Sequence, residues 1–144
     1  MNDRGTSRHS DITLLFFSAG GVRFAVDADQ VTRSVTISVE PNDGVPRLLT
    51  LMGCDDRLID HHNSIMLNVK SNDSKPYRII VDVLEDMAEI STAHIHPFPP
   101  LVESFALQRG MWGVIERDGG LVLLLDFERL MGNKGHETAH DGGA

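Results

Sequence analysis

Histidines are the side chains of this sequence with the clearest potential for metal chemistry. His61 and His62 are adjacent, and His94 and His96 would lie on the same side of an extended segment. Zinc takes three or four ligands from histidine, cysteine and carboxylate side chains. The set that could be gathered is Cys54, Asp60, His61 and His94. No helix-borne pair or Cys-x-x-Cys motif fixes two ligands at zinc spacing. Exposed loop histidines are therefore favoured, and a metal-dependent enzyme built on the histidines is the least favoured function.

Other reactive groups lack the neighbours that catalysis needs. Cys54 is followed by Asp55 and Asp56, and two carboxylates disfavour the thiolate that a nucleophilic cysteine requires. Asp82 and Asp126 each follow an aliphatic strand, where a carboxylate more often caps the next turn than acts in catalysis. The residue types therefore predict no catalytic site and no metal site, and they favour a binding or scaffolding module.

The glycine pairs and the large aromatic residues also have structural interpretations. Gly20-Gly21 and Gly119-Gly120 belong to no P-loop or Gly-x-Gly-x-x-Gly motif, and they predict the tight turns of two β-hairpins. Each pair is followed by an apolar strand that ends in aspartate, so the chain weakly repeats itself. Phe105 and Trp112 are predicted to be core residues and not a ligand cage.

Composition excludes several classes of partner. Lys and Arg number 13 against 21 Asp and Glu, which gives a formal net charge of −8 for the 144 residues. Binding to nucleic acid or anionic lipid uses clusters of basic residues that this chain lacks. The polar N-terminus is unlike a signal peptide. The longest aliphatic run, Leu121 to Leu125, is far shorter than the ~20 residues that cross a bilayer. We expect one cytoplasmic domain without membrane insertion.

Alternation of apolar and polar residues predicts a series of short strands. These strands cover residues 12–17, 22–26, 31–39, 65–69, 77–83, 112–116 and 121–125. Within the third strand, Val31, Val35, Ile37 and Val39 would share one apolar face. The last strand has no polar break, so both of its faces should be buried. Many short strands separated by turns indicate an all-β barrel or sandwich.

Helical segments are few. Leu101 to Gln108 is predicted to be a short helix that ends before Gly110, and Phe127 to Met131 a second one, capped by Asp126. Residues 48–52 fit a helical turn or a strand, and residues 83–90 fit a helix or a strand. The polar ends, residues 1–11 and 132–144, are predicted to be a disordered arm and a disordered tail.

An ordered series of sequence blocks resembles the CheW-like domain family. The blocks are Leu15–Val26, Tyr77–Asp82, Ile95–Pro99, Met111–Val114 and Asp118–Leu130. The last two resemble the family's signature ending: a Gly-Val strand, a turn, and an apolar strand that runs into Leu-Asp-x-x-x-Leu. The resemblance covers nearly all of residues 12–131, which we take as a CheW-like domain.

This resemblance implies a fold of two small SH3-like β-barrel subdomains packed on one another, in agreement with the predicted strands. It also implies a non-enzymatic adaptor without a cofactor. Such an adaptor couples chemoreceptors to a CheA-type histidine kinase in bacterial chemosensory signalling. The alternative is a CheW-like domain repurposed as an accessory or homodimeric scaffold that does not bridge receptor and kinase.

The chain departs from the typical pattern in two places. Typical members have a Gly-x-x-x-x-Arg-Gly block and a Pro-Val-x-Asp-Leu strand, for which residues 47–60 offer no counterpart. The first barrel should then be open at one edge, and an open edge invites another chain to add a strand. The family's kinase contact often has an apolar and an acidic residue. Val31 stands at the apolar place and Arg33 at the acidic place, which makes both candidate partner-binding residues.

Overall fold

The computed structural model describes residues 10–38, 44–53, 64–70 and 77–132. The predicted arm and tail lie outside the described residues, apart from residues 10, 11 and 132. Within the described part, no helix is both long and apolar enough to cross a membrane.

Eight strands and three short helices form the described structure. The strands are β1 (Asp11–Ala19), β2 (Val22–Asp27), β3 (Val31–Ile37), β4 (Ser64–Val69), β5 (Tyr77–Val81), β6 (Val83–Ser91), β7 (Met111–Arg117) and β8 (Gly120–Leu125). The helices are α1 (Leu48–Leu51), α2 (Pro100–Gln108) and α3, which begins at residue 127. The mainly-β prediction is confirmed. Of the two segments that fitted either structure, residues 48–51 are helical and residues 83–91 form a strand.

The strands form two sheets. Five strands lie in the order β6-β1-β2-β8-β7, and three lie in the order β3-β4-β5. The larger sheet curls into a small barrel, because His96, just beyond β6, exchanges two backbone hydrogen bonds of 2.9 Å with Val114 on β7. The two segments that resemble each other in the sequence each end in a strand, β2 and β8, and these two strands are parallel neighbours within the larger sheet.

Both hairpins close through a turn with two residues at positive φ. The first uses Gly20 and Gly21, at φ 62° and 78°. The second uses Asp118 and Gly119, at φ 53° and 78°. This turn corrects the prediction for the second glycine pair, because Gly120 already belongs to β8. Positive φ at both central residues gives the twist that matches the flanking strands.

Successive side chains of β1 enter two separate apolar cores. Leu14 and Phe16 belong to one core, and Leu15 and Phe17 to the other. The small core consists of Leu14, Phe16, Ala25, Ile115, Val122 and Leu124. The large core is built on Leu15, Phe17, Phe24, Val26, Leu48, Leu49, Leu67, Val69, Ile79, Val81, Leu125, Phe127 and Leu130. Because neighbouring residues of a strand project to opposite faces, β1, β2 and β8 form a shared wall with a core on each side.

The shared wall confirms the prediction for β8 over most of its length. Val122 and Leu124 enter the small core, and Leu125 enters the large core. Leu121 is the exception, because it lies next to the hairpin turn and is 66% exposed. The expectation that both faces are buried along the whole strand is therefore wrong at this residue.

A pair of substitutions in β8 tests the shared wall. We expect Leu124→Ala to lower the free energy of unfolding by about 3 kcal/mol, because it leaves a cavity at a fully buried site. Leu121→Ala in the same strand should cost less than about 1 kcal/mol, because that side chain is mostly exposed. Urea denaturation followed by circular dichroism measures both. Equal losses of unfolding free energy for the two variants would contradict the burial of Leu124 in the small core.

Candidate docking surfaces

The structure does not bring the two described histidines, His94 and His96, into a metal site. His94 lies in a single 3-10 turn and His96 in the bridge to β7, and both side chains are exposed. Among the described residues, no group of three or more histidine, cysteine, aspartate or glutamate side chains could hold a metal ion. The other predicted ligands, Cys54, Asp60, His61 and His62, lie outside the described residues.

The protein has two lobes: one contains the larger sheet with the small core, and the other contains the smaller sheet, which packs on the large core. Asp82 joins these two lobes through backbone and side-chain contacts. Its Oδ2 accepts a 2.8 Å hydrogen bond from the Gly20 N–H at the tip of the first hairpin. Its Oδ1 lies 3.4 Å from Nη1 of Arg47, whose Nη2 donates a 3.0 Å bond to Oγ of Ser64. Since Arg47 and Asp82 are only 11% and 18% exposed, water competes little for these contacts. Asp82 thus has a structural role, but it does not form the predicted cap of the next turn, because its partners Gly20 and Arg47 lie far from it along the chain.

Asp126 has a similar structural role at the start of α3. Its Oδ1 accepts from the backbone N–H groups of Glu128 and Arg129, at 3.0 and 3.3 Å, which confirms the predicted cap. Gln30, in the turn before β3, donates a 2.9 Å bond to the same oxygen and accepts a 2.8 Å bond from the Phe127 N–H. The carboxylate is therefore engaged in holding α3 against the turn that leads into β3.

An apolar surface on α2 and β7 corrects the prediction for the aromatic residues. Phe105 is 56% exposed and Trp112 is 36% exposed, so neither is a core residue. On α2, Leu101 is 94% exposed, and the Arg109 guanidinium lies 3.8 Å from the centre of the Phe105 ring. The helix packs through Ala106, its one buried residue, which leaves this apolar face outward.

Beside α2, Trp112 contributes to a shallow apolar groove of about 250 Å³. The groove is lined by Thr92, Ile95, Pro97 and Trp112. Exposed apolar surface of this kind marks sites of protein contact more often than sites of chemistry.

The predicted partner-binding residues lie on β3, at the edge of the smaller sheet. Val31 is half-buried and packs against the large core, whereas Arg33 is exposed. Among the described residues, β3 pairs with β4 on one side only, so its outer edge has no strand partner there. The open edge expected from the sequence rests on residues 47–60, of which residues 54–60 lie outside the described residues, so it stays a prediction.

A β-bulge at Thr32 changes which residues of β3 share a face. Val31 lies opposite Val69, whose side chain is in the large core, but the register shifts before Arg33. Val35 and Ile37 then lie opposite Met66 and Ser64, on the other face of the sheet. The single apolar face predicted for β3 is therefore wrong, because an inserted residue reverses the alternation.

These features define a two-lobed β protein whose exposed features are a strand edge and an apolar helix face. No protein-family model matches the chain, and no curated protein sequence matches it. Among solved structures, it is similar to the scaffolding protein TtCheW from Thermoanaerobacter tengcongensis. The TM-score is 0.64 at 16% sequence identity, and the match covers 84% of this chain and 92% of that one. The chain therefore has a CheW-like fold, as its sequence blocks indicate.

The ion pair between the lobes provides a second prediction. We expect Asp82→Ala to lower the free energy of unfolding by about 2–4 kcal/mol, because Arg47 and the Gly20 N–H both lose a nearly buried partner. Asp86→Ala is the matched control, since its pair with Arg117 is more exposed and should contribute at most about 1 kcal/mol. Chemical denaturation measures the free energy of unfolding of both variants. Equal losses for the two would rule out a special role of Asp82 in stability.

Proposed function

We propose that this chain is a non-enzymatic adaptor of a bacterial chemosensory system. In this role it couples chemoreceptors to a CheA-type histidine kinase through protein–protein contacts. The observation that carries the proposal is the two-lobed fold shared with a scaffolding protein over 84% of this chain. The engagement of Asp82 and Asp126 in structural hydrogen bonds supports a binding role over a chemical one. The cytoplasm is the expected location.

The contact region that we propose for the kinase is the start of β3. Arg33 is exposed there, and Val31 anchors the strand to the large core. The bulge at Thr32 separates the two residues and directs Arg33 away from the core face. Bulges often turn a side chain toward a functional surface. We therefore assign Arg33 the direct contact and Val31 the role of positioning the strand.

A second candidate function is an accessory or homodimeric scaffold that does not join receptor and kinase. The basic residue at position 33, where the resemblance places an acidic one, favours this candidate. The two candidates differ in their partners, because only the adaptor binds both the kinase and the receptor.

Calorimetric titration distinguishes the two functions. The ligands are the regulatory domain of the cognate kinase and the cytoplasmic tip of its receptor. We expect binding to both, and we expect Arg33→Glu to weaken kinase binding by up to about fivefold, the upper end of the range for an exposed ion pair. Arg129→Glu makes the same charge change at an exposed residue of α3, which lies beside α2 and not on β3, and should leave binding unchanged. Absence of binding to both ligands at the highest attainable concentrations would remove the adaptor function.

A further inference from the structure

The outer edge of β3 differs from the other three sheet edges in the described part of the chain. The edge of β5 is covered, because the Ile80 N–H donates a 3.0 Å bond to the Pro46 carbonyl. The edge of β7 is bridged by His96. The edge strand β6 carries three acidic residues, Glu85, Asp86 and Glu89, and charged residues protect an edge from pairing. On β3, the described residues provide no covering segment, and Arg33 is the one charged side chain of the strand.

The charge of β3 is opposite to that of the chain as a whole. The chain carries a net charge of −8, yet the one ionisable side chain of β3 is Arg33, which is exposed. In the register of the smaller sheet, Arg33 lies opposite Asn68, and Asn68 lies opposite Arg78. Two cationic side chains therefore share one face at this end of the sheet. An acidic segment should bind here more tightly than a neutral or basic one, because its negative charge attracts the positive charge of Arg33.

The side chains that follow Arg33 specify a strand and not a helix as the docking segment. From Arg33 to Ile37 the strand has no proline and no acidic residue, so nothing in its sequence blocks backbone pairing. Arg33, Val35 and Ile37 share one face, and Ser34 and Thr36 share the other. A fourth strand would place its own residues directly beside these, with apolar neighbours for the two aliphatic side chains.

We propose that the outer edge of β3 binds an extended acidic segment of a partner protein as a fourth strand. The acidic side chain lies beside Arg33, and apolar side chains two and four residues away lie beside Val35 and Ile37. Backbone hydrogen bonds supply the affinity, and the charge opposite Arg33 supplies the preference between partners. The identity of the protein that carries the segment rests on the proposed function, but the chemistry of the segment rests on β3 alone.

The experiment uses three capped peptides and the full chain labelled with ¹⁵N. In the first peptide, valine and threonine alternate over four positions and glutamate takes the fifth. The second replaces glutamate with lysine. The third keeps glutamate but carries N-methyl groups on alternate backbone amides, which removes the donors that pair a strand. We expect the glutamate peptide to shift the amide resonances of β3 and β4. The lysine peptide should bind up to about fivefold more weakly, the upper end of the range for one exposed ion pair, and the methylated peptide should not bind.

Substitution of the arginine provides the matched control. Arg33→Glu should reverse the preference, so that the lysine peptide binds more tightly than the glutamate peptide. Arg129→Glu should retain the original preference. Added salt should reduce the difference between the peptides, because it screens an exposed pair. Thermal unfolding of each variant, monitored by circular dichroism, checks that the exposed substitutions leave the fold intact.

Several results would overturn the proposal. These are equal binding of the glutamate and lysine peptides, amide shifts on β6 or α2 in place of β3, undiminished binding of the methylated peptide, and pairing of β3 with a second copy of the chain on raising its concentration. If the glutamate peptide binds as expected while kinase and receptor fragments do not, strand addition stands and the adaptor function fails. If those fragments bind and no peptide does, the adaptor function stands and strand addition fails.

Discussion

The structure depends on one constraint: three strands carry apolar side chains on both faces, and both faces must be covered. A strand that buries one face can border a single core, but Leu14 and Leu15 on β1 need cover in opposite directions. Full burial of an aliphatic or aromatic side chain is worth about 1.5–3 kcal/mol. Leaving either face of the shared wall in water would therefore cost about as much free energy as a domain of this size has in net stability. The two lobes exist because the wall requires both.

The contacts between the lobes follow from this arrangement. The chain passes from the smaller sheet to the larger one between β5 and β6, and Asp82 lies at that crossing. From there it reaches the first hairpin through Gly20 and the segment before α1 through Arg47. On the large-core side of the wall, Phe17 stacks near Phe24 and Phe127, with ring centres 5.9 and 6.1 Å apart. Polar contacts thus fix the rim of the joint, and aromatic packing fills its interior.

Sequence patterns predict the parts of this fold that are encoded locally. Seven of the eight strands in the described part follow from alternation, from an apolar run or from composition, and the cap at Asp126 follows from residue type and position. The remaining strand, β6, does not, because the spacing of its apolar residues fits a helix as well as a strand. The bulge at Thr32 cannot be predicted in this way, because an inserted residue is visible only when both strands of a pair are aligned. The exposure of Phe105 and Trp112 cannot be predicted from the sequence either. Hydrophobicity indicates that a side chain favours burial, but it does not show which surface buries it. The departure at Arg33 is visible in the sequence, but its place on an edge strand of the smaller sheet becomes clear only from the order of the described strands.

The position of β8 has a consequence for how the polypeptide reaches its native state. β2 is an early strand, yet its neighbour at the centre of the larger sheet is the last strand of the described chain. Residues such as Phe24 and Leu123, about a hundred positions apart along the chain, must meet before either core is complete. During synthesis, β1 and β2 therefore leave the ribosome well before β8, the strand that pairs with β2 in the larger sheet. Such distant pairing makes folding slow, and it ties completion of both lobes to the arrival of the C-terminal hairpin.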